Sequence, residues 1–186
     1  QDAFRKSFSV EEPLWLEEGQ SALIVLPSEH FGVSYILDYD HPGLRSQYNH
    51  FRINDETFTK EIASARTFCL KEEVDELLGK GLGKGASLDN TVIIDEKGAS
   101  VAPLRFVDEF LRHKVLDLVG DIFLAGCFLK AHIIGIKSGH SLNLKMAQEI
   151  MKRYTENHPP LSGGTGKSSD KPLIDREQIK TIIPHR

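Results

Sequence analysis

The residues best suited to chemistry lie on one predicted helix, between Asp108 and Asp121. A helical repeat puts His113, Asp117 and Asp121 above one another at i, i+4 and i+8 on a single face. Burying an imidazole with two carboxylates is costly unless something compensates, and a divalent metal does so. A His and an Asp one turn apart can reach the same Zn²⁺, so the stripe predicts part of a metal site. The apolar residues expected to bury this helix are Phe110, Leu111, Val115, Leu118, Val119, Ile122 and Phe123.

A His and an Asp at i, i+4 are also typical of a satisfied polar pair that binds no metal. Three features favour the metal interpretation here. The apolar flanks argue against an ordinary solvated face, and Asp121 adds a second carboxylate. Lys114, beside His113, supplies a cation suited to an anionic substrate or intermediate. Both interpretations remain open from the spacing alone.

A second candidate element is the run from Lys137 to Asn143, at a predicted strand-to-helix junction where ligand groups often gather. Gly139 lets the backbone approach a ligand closely. His140 can exchange a proton near neutral pH, and a carboxylate partner such as Asp121 would favour its charged, acid form. A capping His followed by a structural Ser explains the same residues without a function.

Thr67 provides a hydroxyl donor at a predicted helix end, where it could polarise a carbonyl. Threonine at such a position is also typical of a cap or turn. Two glycine-rich runs, residues 81–85 and 163–168, lack the preceding strand that a nucleotide-binding loop requires. We interpret them as a loop and part of a linker.

Periodicity and turn signals place the elements that must position these residues. Two β-rich runs, Ser21–Leu26 and Phe31–Leu37, are separated by four residues and predict a hairpin. The other predicted strands are Thr91–Ile94 and His132–Ile136, and the predicted helices are Asn54–Ala65, Lys71–Leu78, Phe106–Ala125 and Ser141–Tyr154. Residues 155–172 have the composition of a flexible linker, and apolar periodicity resumes over 173–186.

Composition limits the classes of function. The chain has 186 residues and a formal net charge of −4, which gives no support for nucleic-acid binding. Cys69 and Cys127 lie in apolar surroundings and outside any CxxC pair, so we expect free thiols in a reducing compartment. We find no stretch long enough to span a bilayer and no signal peptide, and therefore expect a cytoplasmic protein.

Four runs together resemble a known family. Residues 64–68, 84–90, 108–121 and 138–143 occur in the order and spacing of the zinc-dependent UDP-3-O-acyl-N-acetylglucosamine deacetylases of lipid A synthesis. The resemblance covers residues 1–154 and implies the second of that enzyme's two similar domains. The implied fold is α+β: a two-layer sandwich of a mainly antiparallel sheet packed on helices, with a small inserted α/β subdomain.

The resemblance also implies roles for individual residues. His113 and Asp117 match two of the three protein ligands to zinc, and Thr67 matches the residue that helps to hold the reacting carbonyl oxygen. His140 matches the proton donor, Asp121 the carboxylate that orients it, and Lys114 a basic residue near the reaction centre. The positions matching substrate contacts are Phe68, Lys137 and Tyr39, the last often Phe in the family, with Gly139 beside them. Residues 70–94 correspond to an insert that forms a passage for the acyl chain.

One departure from the family concerns the rest of the active site. The third ligand, a His, and the general base, a Glu, belong to the first domain, and the Glu29–His30 pair lies in a predicted loop outside the family's context. Residues 173–186 resemble the opening of 3-hydroxyacyl-[acyl-carrier-protein] dehydratases, to which the deacetylase is sometimes fused.

The resemblance therefore predicts a zinc-dependent hydrolase that removes the N-acetyl group from a UDP-linked, 3-O-acylated glucosamine. This chain would carry part of the site, with a first deacetylase domain and a dehydratase module as partners. The alternative is a substrate-binding or structural domain without turnover.

Overall fold

Six of the described strands build one mixed sheet. The computed structural model describes residues 6–41, 44–81, 83–97, 100 and 102–158. The strands are β1 (Ser7–Ser9), β2 (Leu14–Glu18), β3 (Ser21–Pro27), β4 (Gly32–Leu37), β5 (Gln47–Arg52), β6 (Thr67–Leu70), β7 (Thr91–Ile94) and β8 (Phe128–Ile136). Among the described residues, the main sheet has the order β2–β3–β8–β4–β5, with β1 beside β8.

The pairing shows that the predicted hairpin is wrong. Strands β3 and β4 form where expected, but β8 lies between them, antiparallel to β3 and parallel to β4. Ile134 of β8 faces Ile24 on one side and Ser34 on the other. The central position gives both backbone edges of the apolar β8 hydrogen-bonding partners, which a direct β3–β4 hairpin would not do. The remaining pairs, β2–β3 and β4–β5, are antiparallel, so the sheet is mainly antiparallel.

Four α-helices in the described residues accompany the strands: α1 (Asp55–Thr57), α2 (Lys71–Gly79), α3 (Glu109–Phe123) and α4 (His140–Asn157). Asn54 caps α1, accepting a hydrogen bond from the backbone N–H of Thr57 at 2.9 Å. Beyond α1 the chain forms a π-helix, Phe58–Ile62, so this helical segment ends before the predicted Ala65. Residues 155–157, predicted as linker, belong to α4, whereas residues 159–186 lie outside the described residues.

The core lies between the main sheet and helices α3 and α4. Val33 and Ile133 from the sheet are fully buried, as are Leu118 of α3 and Met146 of α4. Strand β8 and α3 approach closely at Gly135, where a Cβ atom would lie 2.7 Å from the Tyr35 ring and 3.3 Å from the Leu118 side chain. Glycine suits this position because a side chain would collide with the Tyr35 ring of β4 and press against Leu118 of α3.

The apolar face of α3 is buried as expected except at its end. Phe123 remains 38% exposed. It lies in the last turn of α3, where its ring packs edge-on against Phe31 and Phe128 rather than in the core. The prediction of burial was wrong at this position because the helix ends there and the chain turns back into β8.

Strands β6 and β7 form a separate parallel pair, with α2 between them in sequence. The predicted strand Thr91–Ile94 and the charged helix beginning at Lys71 are both confirmed. Cys69, half-buried in β6, and the buried Cys127 are free thiols, as expected. The described part of the chain is therefore mixed α+β, and none of its helices is long and apolar enough to cross a membrane.

Candidate active site

The stripe on α3 brings His113 and Asp117 together at the surface of the core. Their side chains are each 18% exposed, and Nε2 of His113 lies 3.4 Å from Oδ1 of Asp117. On the other side of the ring, Nδ1 of His113 lies 3.2 Å from the carbonyl oxygen of Ala65. Because a carbonyl can only accept, Nδ1 donates in this contact, and Nε2 is the ring nitrogen that faces Asp117.

This pair fits a zinc ion. Bonds of about 2.0–2.1 Å to nitrogen and oxygen, at a tetrahedral angle, separate the two ligand atoms by roughly 3.3–3.4 Å. The observed separation of 3.4 Å matches that value. A metal-bound histidine usually donates its other N–H to a carboxylate or backbone carbonyl, as His113 does to Ala65. Within the described residues, no group of three or more His, Cys, Asp or Glu side chains is arranged to hold a metal.

The first turn of α4 places His140 beside α3. Its Nδ1 lies 2.8 Å from Oδ2 of Asp121, and the same oxygen accepts a hydrogen bond of 2.9 Å from the side-chain amide of Asn143. The hydrogen bond to Asp121 raises the pKa of His140, which partial burial and the charge of Lys114 counteract. The arrangement therefore favours an imidazolium held in a fixed orientation.

Asp117 joins the two parts of this cluster. Its Oδ2 lies 3.6 Å from Nζ of Lys114 and 4.0 Å from Nε2 of His140, while its other oxygen faces His113. Three basic side chains thus surround one carboxylate at a half-buried surface. Such a cluster can bind a cation at the carboxylate and an anion at the neighbouring basic groups.

A second group of predicted residues lies where β4 and β8 end. Lys137 follows β8 with a φ of +51°, a strained conformation for a non-glycine residue. Its Nζ lies 3.3 Å from Oδ2 of Asp38, the residue before Tyr39. The Tyr39 ring packs edge-on against Phe68, with ring centroids 5.9 Å apart. Lys137 thus contacts Asp38, and the next residue along the chain, Tyr39, contacts Phe68.

The remaining predicted site residues are Gly139 and Thr67. Gly139 is the N-cap of α4, and a Cβ atom there would meet nothing within 4 Å, so the described neighbours do not require glycine. Thr67 is exposed and opens strand β6; its predicted position at a helix end is wrong because the π-helix already ends at Ile62. It lies two residues after Ala65, the hydrogen-bond partner of His113.

Sequence reasoning missed the residues that hold this site in place. Arg66 and Glu109 form a buried ion pair beneath it, with Nε of Arg66 2.8 Å from Oε1 of Glu109. Asn143 fixes Asp121, and its position three residues after His140, on the same face of α4, was the available signal. For Arg66 and Glu109, 43 residues apart, local spacing carried no signal.

Comparison with known proteins places the chain in a family. Residues 1–152 match the family model described as UDP-3-O-acyl N-acetylglycosamine deacetylase. The chain is 39% identical over 154 residues to a UDP-3-O-acyl-N-acetylglucosamine deacetylase of Syntrophus aciditrophicus, covering 82% of this chain and 49% of that protein. Proteins of the same name from Geobacter sp. (strain M21) and Nostoc sp. (strain PCC 7120) are 40% and 39% identical over 150 and 148 residues. These matches cover 80% and 78% of this chain, and 49% and 53% of the two relatives. The chain thus spans about half the length of the curated relatives it matches, and it belongs to the UDP-3-O-acyl N-acetylglycosamine deacetylase family.

Proposed function

We propose that this chain supplies one half of a zinc-dependent deacetylase that removes the N-acetyl group from UDP-3-O-(3-hydroxyacyl)-N-acetylglucosamine in lipid A synthesis. The observation that carries the proposal is the contact cluster of His113, Asp117, Asp121 and His140. It combines a ligand pair of tetrahedral spacing with an oriented, charged imidazole in a chain of the deacetylase family.

In this proposal His113 and Asp117 hold the zinc ion. When bound, zinc polarises a carbonyl and lowers the pKa of a water molecule. His140 donates a proton to the departing amine, and Asp121 keeps its ring charged and aimed. Thr67 donates a hydrogen bond to the acetamide oxygen as negative charge develops there.

The groups around the cluster suit the rest of the substrate. Lys114 provides positive charge near the reaction centre, 3.6 Å from Asp117. Lys137 provides positive charge for the nucleotide part of the substrate, and Tyr39 and Phe68 provide an aromatic surface for the substrate. Residues 70–94 form the acyl passage. They include α2 and β7, which together with β6 make up a small inserted α/β subdomain. Leu78 and Leu88 are 56% and 50% exposed on this segment, as expected for residues that contact a hydrocarbon chain.

The proposal extends to the organisation of the whole protein. Residues 1–154 are the second domain, in which the sheet and helices form a two-layer sandwich, and a first domain supplies the third ligand and the general base. The part of the predicted linker (155–172) that follows α4 connects this domain to a dehydratase module that begins in 173–186. The alternative is a binding or structural domain without turnover, favoured by the finding that the described residues provide no group of three metal-binding side chains.

The test uses the whole gene product that contains this chain, with zinc content and release of acetate as readouts. We expect stoichiometric zinc and deacetylation of the 3-O-acylated UDP-sugar. His140→Ala should lower turnover by about 100-fold or more while zinc content stays near that of the wild type. His113→Ala should lose zinc. His30→Ala, an exposed residue of the β3–β4 connection, is the matched control and should change neither readout. A zinc-loaded wild type without deacetylase activity would support the non-catalytic alternative.

A further inference from the structure

Beneath the candidate site, one buried carboxylate collects four N–H donors. Glu109, the first residue of α3, is fully buried, and Arg66 is 7% exposed. Arg66 donates to the Glu109 carboxylate from its backbone N–H at 3.0 Å, from Nε at 2.8 Å and from Nη2 at 3.0 Å. The backbone N–H of Arg105 donates the fourth hydrogen bond, at 2.7 Å. The guanidinium therefore meets the carboxylate in a bidentate, geometrically specific pair.

The same guanidinium fixes two further segments. Nη1 of Arg66 donates to the carbonyl oxygen of Leu88 at 3.2 Å, and Nη2 donates to that of Pro103 at 2.7 Å. One side chain thus joins the loop before β6, the loop before β7 and the loop before α3. Lysine has a single ammonium and cannot make this planar set of contacts.

The ion pair lies next to two segments that carry candidate site residues: the segment around Thr67 and helix α3. Ala65, immediately before Arg66, provides the carbonyl that accepts from Nδ1 of His113, and Thr67 follows immediately after. Glu109 lies one helical turn before His113 on α3. Because Glu109 bonds the backbone N–H of Arg66 itself, it fixes the Ala65–Arg66 peptide relative to the helix that carries His113.

We propose that Arg66 and Glu109 are positioning residues for His113: they hold the Ala65 carbonyl where it accepts from Nδ1, and so keep Nε2 turned toward Asp117. The orientation of the ring concerns this chain alone, whereas the use of Nε2 as a zinc ligand rests on the proposed function. A buried ion pair is a weak source of net stability, since apolar replacements often do as well. Glu109 accepts from the N–H of the Ala65–Arg66 peptide, and His113 donates to the carbonyl of the same peptide. These directional contacts are what a positioning role requires.

The direct test is the orientation of the His113 ring, seen in crystal structures of the whole gene product prepared without zinc. In the wild type, Nδ1 should lie within hydrogen-bond distance of the Ala65 carbonyl oxygen, as it does here at 3.2 Å. Arg66→Lys keeps the charge but loses the planar contacts. Glu109→Asp keeps the charge but withdraws it by one methylene. In each folded variant the contact between His113 and Ala65 should lengthen beyond about 3.5 Å or be lost.

The matched control is Arg153→Lys, which alters the partly exposed Arg153–Glu149 pair on α4 and should leave the orientation of the His113 ring unchanged. A wild-type His113 whose Nδ1 does not contact the Ala65 carbonyl would overturn the proposal even if neither variant folds. Folded variants with the wild-type ring orientation would also overturn it.

Zinc affinity gives a second readout that separates this proposal from the proposed function. In the whole gene product, Arg66→Lys should weaken zinc binding by about 10–100-fold, the usual effect of disturbing a group that orients a ligand, while Arg153→Lys should not. If the His113 ring turns in Arg66→Lys but the wild type binds no zinc, the positioning role stands and the proposed metal site fails. An unchanged zinc affinity together with an unchanged ring orientation would reduce the ion pair to a structural contact.

Discussion

Replacing Glu109 by Gln should produce a stability defect that shrinks as the pH falls. Burial raises the pKa of Glu109, but hydrogen bonds from the Arg66 side chain and from the backbone N–H groups of Arg66 and Arg105 outweigh burial and lower the pKa to about 2. The unfolded chain has the ordinary value of 4.5. Because the folded-state pKa is the lower one, the stabilisation is complete above pH 4.5 and is lost as the pH falls toward 2.

The magnitude follows from the two pKa values. A difference of roughly 2.5 units corresponds to about 3 kcal/mol of unfolding free energy at neutral pH. About 1 kcal/mol of this is lost by pH 4 and about 2 kcal/mol by pH 3. Glu109→Gln removes the charge and leaves Arg66 buried without its partner, which costs about 3–5 kcal/mol at pH 7.

Urea unfolding followed by circular dichroism, at a series of pH values from 7 to about 3, measures the difference between wild type and Glu109→Gln. We expect that difference to narrow by about 2 kcal/mol over the series. The control is Glu149→Gln, which alters a partly exposed pair on α4 and should change stability by less than about 1 kcal/mol at every pH. If the unfolding free energies of wild type and Glu109→Gln change in parallel with pH, the acid-sensitive stability does not come from Glu109.

Two further predictions concern the site and the core. In metal-free protein, Asp121→Asn should lower the pKa of His140 measured by NMR, because the hydrogen bond to Asp121 is the main cause that raises it; an unchanged midpoint would contradict this cause. This interaction stabilises the fold below the ordinary imidazole pKa and fades as the pH rises through the raised value. Gly135→Ala should destabilise by about 1–3 kcal/mol because its Cβ would lie 2.7 Å from the Tyr35 ring. Gly120→Ala, in open space on α3, should stabilise by about 0.5–1 kcal/mol, and equal effects at both glycines would refute the packing argument.

Short-range patterns in the sequence predict much of the site. The i, i+4 spacing of His113 and Asp117 places their side chains 3.4 Å apart on α3 as helical geometry requires. The strand-to-helix junction before His140 also forms as predicted, and it brings His140 to Asp121. These relations depend on one helix and one neighbouring turn, so a local pattern is enough to indicate them.

Contacts between residues far apart in the sequence cannot be predicted from such local patterns. The insertion of β8 between β3 and β4 depends on which edges pair, and alternation of apolar residues does not specify a strand's neighbours. The Arg66–Glu109 pair joins residues whose separation shows no period. The strained φ of Lys137 depends on contacts at both ends of the residue, including the hydrogen bond from its backbone N–H to Ile36.

The central claim is that His113 and Asp117 hold a common metal ion. Anomalous diffraction at the zinc edge, from crystals of the whole gene product prepared with zinc, tests it most directly. The account predicts a peak about 2.0–2.2 Å from both Nε2 of His113 and a carboxylate oxygen of Asp117. A peak elsewhere would contradict it, for example at His50 and His132, whose rings lie 5.1 Å apart on the sheet.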